Sequence, residues 1–353
     1  MTRKSKLTLL VDGNWLLMSR LAVIVGRYPE MNELNRELKL LMIRSVNLVL
    51  RTFPQIDNII FVADGGSWRN TEVKIPYFLD ADGVEYKGNR THSEEIDWDV
   101  IFSGYEDFLT TLSNNNVTVC REKMIEGDDW CWWWSTYLNS LGTNVMIWSK
   151  DRDLTQLVNT DNDGCFTVCW NKEGGITCMD KDEDDFNFLF NNDFSENDKL
   201  FHTLLNKSVS VNKINPKEVC IDKIIRGDAG DNILPIIIKK SKNENSNRQY
   251  KVSNKDIDAS LNIYDNNKVR EYIENLCEMK SYKNRIGDRT PEQIFEHFVY
   301  NRTLVVLNDS VYPNTVKDIM KAHTEFNICK DLTEVEHIIN AQRSELTDIL
   351  EVI

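Results

Sequence analysis

Nine carboxylates in this chain fall where chemistry could gather: Asp12, Asp64, Glu126, Asp128, Asp129, Asp151, Asp153, Asp228 and Asp231. Asp12, Asp64 and Asp151 each follow a short apolar run of strand length, in TLLVD, IIFVAD and VMIWSKD. In open α/β sheets, ligands bind at the carboxyl ends of parallel strands, where loops and helix starts converge. Carboxylates brought within about 4–6 Å repel by several kcal/mol per close pair at an effective dielectric near 20. Such a cluster persists only with bound cations or strongly shifted pKa values. Oxygen-only ligands favour hard cations such as Mg2+ or Mn2+ over zinc. Two such ions about 3.5–4 Å apart can activate water and stabilise the leaving 3′ oxygen of a phosphodiester. The residues alone therefore point to a two-metal phosphoryl hydrolase.

A plainer reading competes at each position. Asp128 and Asp153 sit where a helix N-cap is expected, and capping carboxylates are common. Capping accounts for any one of these acids taken singly. It must be invoked four times over to account for these three strand ends and for the strand Val117–Cys120, which leads to the Glu126 loop.

The elements that would position the acids follow from hydrophobic spacing. Strands are expected at Leu7–Val11, Asn58–Ala63, Val117–Cys120 and Asn144–Trp148, with a hairpin of 166–170 and 175–178 on Lys172-Glu173-Gly174. Helices are expected after Gly13, over 34–52, over 96–112 and from Asp128 to Leu141. The last would bury Trp130, Trp133, Trp134, Tyr137, Leu138 and Leu141. A further helical pattern runs through Leu154, Leu157 and Val158, and a helix over 220–225 leads into RGDAGDNI. Helices over 266–280, 291–307, 314–322 and 332–350 close the chain. The expected class is α/β: a mostly parallel central sheet flanked by helices over 1–235, then a mainly helical region over 236–353.

At 353 residues, 41% apolar and 28% charged, the chain has the composition of a soluble globular protein with one or two domains. No apolar run approaches a membrane span, and Asp12 interrupts the apolar start too early for a signal peptide. No membrane partner and a cytoplasmic location are expected. The eight cysteines show no CxxC spacing and the five histidines do not cluster, so reduced thiols are expected and a zinc site is not. Cys165 and Cys169 share one face of a strand.

The net charge of −14 opposes phosphate binding at face value, but the charge is uneven. Residues 179–198 hold eight acids against one lysine and read as a surface insertion, while bases gather at 69–90 and 239–251. The polar excursion over 65–95 carries Arg69, Lys74, Lys87 and Arg90 among Trp68, Tyr77, Phe78 and Tyr86. Cations interleaved with aromatics suit a single nucleic-acid strand, through phosphate neutralisation and base stacking. A solvated loop is the alternative.

Six motifs stand in sequence order: VDGNWLL, ADGGSWR, YKGNR, IEGDD, SKDRDLTQL and IIRGDAGDNI. Together they resemble the 5′→3′ exonuclease/flap endonuclease family with its PIN-like core, most closely the bacteriophage ribonuclease H type. The likeness covers about residues 7–235, and YNRTLVVLND resembles that type's C-terminal region. The resemblance implies that Asp12, Asp64, Glu126 and Asp128 hold a first Mg2+, with Asp129 nearby. It implies that Asp151, Asp153 and one or both of Asp228 and Asp231 serve a second, and that Mn2+ can substitute. Tyr86, Lys87 and Arg90 match the family's basic arch motif, whose lysine helps position the scissile phosphate; Arg69 would add a phosphate contact. The catalytic set so implied is Asp12, Asp64, Lys87, Arg90, Asp128, Asp151 and Asp153, with Lys74 among the nucleic-acid contacts. Many relatives continue with a Gly-x-Gly helix–hairpin–helix that grips duplex. LPIIIKKSKNENSN lacks those glycines, which leaves duplex binding to Lys239, Lys240, Lys242 and Arg248.

The implied substrates are DNA and RNA–DNA hybrids with a 5′ end or flap, as in RNA primer removal during phage DNA replication. A single-strand-binding protein or sliding clamp is the implied protein partner, and the host cytoplasm the location for a phage-encoded chain. Two rivals remain. A PIN-type endoribonuclease shares the acidic edge but needs neither the basic arch nor the 228–231 motif. A catalytically silent nucleic-acid-binding relative would normally have lost carboxylates. The tryptophans at 130–134 suit a helix buried on the sheet better than a stacking platform.

Overall fold

A computed structural model of the chain describes residues 6–28, 30–79, 85–91, 93, 96–115, 117–160, 165–180, 196–207, 210–237, 252–283 and 289–328. The chain divides into two interleaved units: Met1–Gly66 with Ser93–Ile214 and Pro313–Ile353, and Ser67–His92 with Asn215–Tyr312.

The first unit is built on a sheet of β1 (Leu7–Asp12), β2 (Asn58–Val62), β3 (Thr118–Cys120), β4 (Asn144–Trp148), β5 (Asn159–Thr160), β6 (Phe166–Asn171), β7 (Gly175–Met179) and β8 (Val211–Ile214). Its order is β3-β2-β1-β4-β6-β7-β8, with β5 paired to β6. All pairs are parallel except β6 with β7 and β5 with β6. The expected mostly parallel sheet is therefore present. Every residue of β1 and β4 is buried, which is why both read as unbroken apolar runs without alternation. Helices α1 (Gly13–Ile24), α2 (Met31–Thr52), α3 (Trp98–Asn114) and α4 (Gly127–Ser140) join the first four strands. In α2 the buried stripe is Leu34, Leu38, Met42, Val46 and Val49, at helical spacing. Successive strands run outward from β1 through β2 to β3, then the chain returns to place β4 on the other side of β1. This reversal makes the β1/β4 edge the switch point, where a crevice forms at the carboxyl ends.

Several details differ from the spacing argument. In α4 the buried tryptophans are Trp130, Trp132 and Trp134; Trp133 is half-buried and donates its indole N–H to Thr324 Oγ1 at 2.7 Å. Leu141 is 55% exposed because the helix ends at Ser140. The pattern through Leu154 is a single 3₁₀ turn, Asp153–Leu157. Helix Glu196–Lys207 and strand β8 have no counterpart in the sequence reading. Residues 181–195 of the acidic stretch and the helix expected over 332–350 lie outside the described residues.

The second unit is helical, with Arg69–Glu72, Pro216–Arg226, Asn266–Glu278, Lys280–Lys283 and Pro291–Val305. Asn215, Asp265 and Thr290 cap the three longer helices, and Thr290 forms a capping box with Gln293. Its core joins Ile221, Ile224, Ile225, Ile233, Ile273 and Phe298. The buried amide of Asn301 donates to the carbonyls of Ile224 and Leu234, both at 2.8 Å, fastening the chain that follows Arg226.

Candidate active site

In the first unit, Asp12 ends β1 and caps α1. Its Oδ1 accepts the Trp15 N–H at 2.9 Å and its Oδ2 accepts the Ser149 hydroxyl at 2.7 Å. The parallel register sets Val11 beside Trp148, so the residues that follow them, Asp12 and Ser149, become neighbours. Asp64, just past β2, accepts the Gly127 N–H on Oδ1 at 2.7 Å and the Asn14 amide on Oδ2 at 2.9 Å. The start of α4 is thereby held against the end of β2.

Past β4, Ser149 Oγ accepts the Asp151 N–H at 3.0 Å, and Asp151 Oδ1 accepts the Asp153 N–H at 2.9 Å. Asp151 is exposed; Asp153 is half-buried. Glu126 and Asp129 form the capping box of α4, with Asp129 Oδ2 accepting the Glu126 N–H at 3.1 Å. This corrects the expected caps. Glu126, not Asp128, is the N-cap, because an acid three residues on can return the bond; Asp128 stands in the first turn, half-buried. Asp153 likewise opens its 3₁₀ turn, and Arg152 precedes it in helical conformation.

The electrostatics tie these acids together. Burial pushes the Asp12 carboxyl up to about 7, against the Trp15 and Ser149 hydrogen bonds, and the charges of Asp64 and Asp151 push the same way. Burial also holds the Tyr105 hydroxyl well above its ordinary range, with Asp12 and Asp64 adding to it. The Cys131 thiol is raised by burial, then by Asp12 and Asp128. Asp12, Asp64, Asp128 and Asp151 thus act on a common neighbourhood. The donors bonded to the carboxylates of Asp12, Asp64 and Asp151 above are main-chain N–H groups, a hydroxyl and an amide, none of them charged. An all-oxygen acidic set held by such donors fits a hard divalent cation.

Asp228 and Asp231 belong to the second unit, on the turn after helix Pro216–Arg226. Asp228 and Ile233 exchange both main-chain hydrogen bonds at 2.8 Å, and Gly227 takes φ 68° to enter the turn. Asp228 pairs with Lys223 and accepts the Gly230 N–H at 2.8 Å. Burial pushes its carboxyl up, but Lys223 and the Gly230 and Asp231 N–H groups outweigh this and leave it below the usual range. Asp231 pairs with Arg90 at 2.6 Å.

The YKGNR segment interlocks with this turn. Lys87 N–H donates to the Asp231 carbonyl at 2.9 Å, the Asn89 amide to Ala229 O at 2.8 Å, and the Asn232 amide to Glu85 O at 2.9 Å. Lys87 and Asn232 both sit at φ 58°, in the left-handed region. The Lys87 ammonium lies 4.9 Å from the centre of the Tyr86 ring.

Arg69 requires a correction. It is 2% exposed, donates Nε–H to Leu304 O at 3.0 Å and lies over the Trp68 ring at 4.7 Å, so it is an internal guanidinium rather than a surface phosphate contact. Trp68, read as a stacking partner for a nucleic acid, lies against the arginine instead. Lys74 is exposed, whereas Lys239, Lys240, Lys242 and Arg248 lie outside the described residues.

Sequence reasoning passed over Asn14, Ser149 and Tyr105. The first two stand inside motifs that were read only for their carboxylates. Tyr105 carries no local signal: it reaches the site because a Cβ on Gly13 would overlap its hydroxyl, so the two elements meet only at a glycine.

No family model matches the chain, and no curated relative matches it. Among solved structures, it is similar to a bacteriophage T5 protein co-crystallised with metal ions, at TM-score 0.49 and 15% identity over 98% of this chain and 100% of that one. It is also similar to the bacteriophage T5 flap endonuclease in a pseudo-enzyme–product complex with DNA and metal ions, at TM-score 0.48 and 16% identity, covering 98% and 100%. The T5 5′-exonuclease with bound zinc gives TM-score 0.48 and 15% identity over the same shares.

Proposed function

We propose that this chain is a divalent-metal-dependent 5′→3′ exonuclease and flap endonuclease. Its substrates are 5′ ends or flaps of DNA and RNA–DNA hybrids, with RNA primer removal in phage replication as the setting. One observation carries this reading. The contacts Asp153–Asp151–Ser149–Asp12 and Asn14–Asp64–Gly127 gather acids from separate strand ends at the switch point of a parallel sheet. The six ordered motifs support it from the sequence.

Asp12, Asp64, Glu126 and Asp128 would hold one Mg2+ or Mn2+, with Asp129 nearby; Asp151 and Asp153 would hold a second. Asp228 and Asp231 enter this assignment by their motif alone. When bound, such ions lower the pKa of water and neutralise charge on a phosphodiester. The chain's own residues do the rest. Lys87 orients the scissile phosphate, and Arg90 and Lys74 contact the strand. Catalysis belongs to residues 1–235, with 65–95 as the arch, and duplex contacts belong to 236–353. A single-strand-binding protein or sliding clamp is the partner class this role calls for.

The test is product analysis on a 5′-labelled flapped duplex, with and without Mg2+, beside a plain structured RNA. Short 5′ products that require Mg2+ and vanish with Asp151→Asn are expected. Scission of the RNA alone would favour a PIN-type endoribonuclease. Binding without cleavage of either would make the chain a silent relative.

A further inference from the structure

Deepening that reading, we propose that Asn14 and Ser149 are positioning residues, an amide and a hydroxyl that fix Asp12, Asp64 and Asp151 for a divalent cation while adding no positive charge. Ser149 is 3% exposed and uses its hydroxyl in both senses: it donates to Asp12 Oδ2 at 2.7 Å and accepts the Asp151 N–H at 3.0 Å. The direction is fixed, since a main-chain N–H can only donate and leaves the hydroxyl hydrogen for the carboxylate. One side chain thereby ties the acid ending β1 to the acid that follows β4.

Asn14 does the same between β1 and β2. Its Oδ1 accepts the Asp64 N–H at 3.0 Å, which leaves Nδ2 to face Asp64 Oδ2 at 2.9 Å. The amide orientation is therefore set by its partners, and Tyr105 Oη stands 3.5 Å from the same Oδ1.

The choice of uncharged partners is the informative part. In the second unit, Asp228 and Asp231 have charged side-chain partners, Lys223 and Arg90. A lysine or arginine in place of Ser149 or Asn14 could donate to a carboxylate but has no acceptor for the Asp151 or Asp64 N–H, and it would supply the charge a metal should supply. A hydroxyl and an amide orient the ligands without bringing a positive charge of their own, as the outer partners of metal ligands do.

The test is Mn2+ binding to the full chain, followed by electron paramagnetic resonance, beside thermal unfolding in EDTA. Ser149→Ala is expected to weaken Mn2+ binding about 10- to 100-fold, the range for lost outer-shell partners, and Ser149→Thr to restore it. Asn14→Asp is expected to weaken it too, because an acceptor then faces Asp64 Oδ2 although a negative charge has been added. Wild-type affinity in Ser149→Ala, or tighter binding in Asn14→Asp, overturns the proposal. If Ser149→Ala does not fold in EDTA, Asn14→Asp and Ser149→Thr decide the matter. Failure of wild type to bind Mn2+ overturns this inference and the metal-dependent reading together. Mn2+ binding with the expected mutant pattern, but no flap cleavage, overturns the nuclease reading alone.

Discussion

Gly65 packs against the main chain of Glu122 with no room for a β-carbon: one built there would overlap the Glu122 carbonyl oxygen. The loops they belong to are zipped together. Gly65 N–H donates to Ile125 O at 2.8 Å and Met124 N–H to Gly65 O at 3.1 Å. That zipper is what brings the Gly127 N–H within 2.7 Å of Asp64. Gly65→Ala must push the loops apart, so it is expected to cost about 1–3 kcal/mol, as overpacking does, and to abolish divalent-ion binding. Gly142→Ala is the control. Gly142 lies at φ 77° with open space around it, so alanine there costs about 1 kcal/mol of backbone strain and leaves ion binding alone. Urea unfolding and Mn2+ titration of both variants check the pair.

Asp12 makes stability depend on pH in the metal-free protein. Its carboxyl is raised from 3.8 to about 7, so the folded state holds a proton that the unfolded state has lost. The resulting stability is fully present below about pH 4 and disappears as pH rises through about 7. At 1.36 kcal/mol per pKa unit this amounts to about 4 kcal/mol. Urea midpoints in EDTA should therefore fall between pH 5 and 8 in wild type, and much less in Asp12→Asn. A divalent cation favours the ionised carboxylate, so adding Mg2+ should stabilise wild type more at pH 8 than at pH 5. Equal stabilisation at both would separate Asp12 from the ion.

The positions of Asp12, Asp64 and Asp151 were legible because each comes just after a strand buried on both faces, where an unbroken apolar run leading to Asp is conspicuous. Parallel neighbours then bring those ends to one edge whatever the loops between them do. What escaped was the reciprocal chemistry. The Glu126–Asp129 box looks in sequence like any acidic helix start, and choosing Asp128 as the cap requires no less plausible a pattern. Strand β8 escaped because three of its four residues are exposed and none of its spacing marks a buried face. Helix Glu196–Lys207 has only Leu200 and Leu204 buried, and its acidic first turn merged with the stretch before it. Arg69 was misread for a different reason: a guanidinium beside aromatics has the same sequence signature whether the rings hold it inside or both face a nucleic acid.

That distinction can be measured. Arg69→Ala removes the donor to the Leu304 carbonyl and the packing against Trp68 and Tyr312. Loss of the hydrogen bond to a buried carbonyl costs about 1–3 kcal/mol, seen as a lower Tm. The salt dependence of DNA binding should keep its slope, since no phosphate contact is lost. A surface arginine on phosphate would instead lower that slope by about 1 and leave Tm unchanged.

Lys87 offers the sharpest test of the cationic turn, because its backbone and side chain can be judged separately. It sits at φ 58°, its N–H is taken by Asp231 O at 2.9 Å, and Arg90 N–H returns to its carbonyl at 3.2 Å. Alanine meets the same left-handed penalty as lysine, so Lys87→Ala keeps the turn and removes only the ammonium. If that ammonium orients the scissile phosphate, single-turnover cleavage should slow about 10²–10³-fold, as loss of one preorganised transition-state donor does. Binding of the same flapped DNA in Ca2+ should change only a few-fold. Lys87→Gly removes the same charge and also about 1 kcal/mol of left-handed strain, so it should melt higher than Lys87→Ala yet cleave no faster. Equal losses in rate and binding would reduce Lys87 to a general electrostatic contact, and recovery of rate in the glycine variant would place its role in the turn rather than the charge.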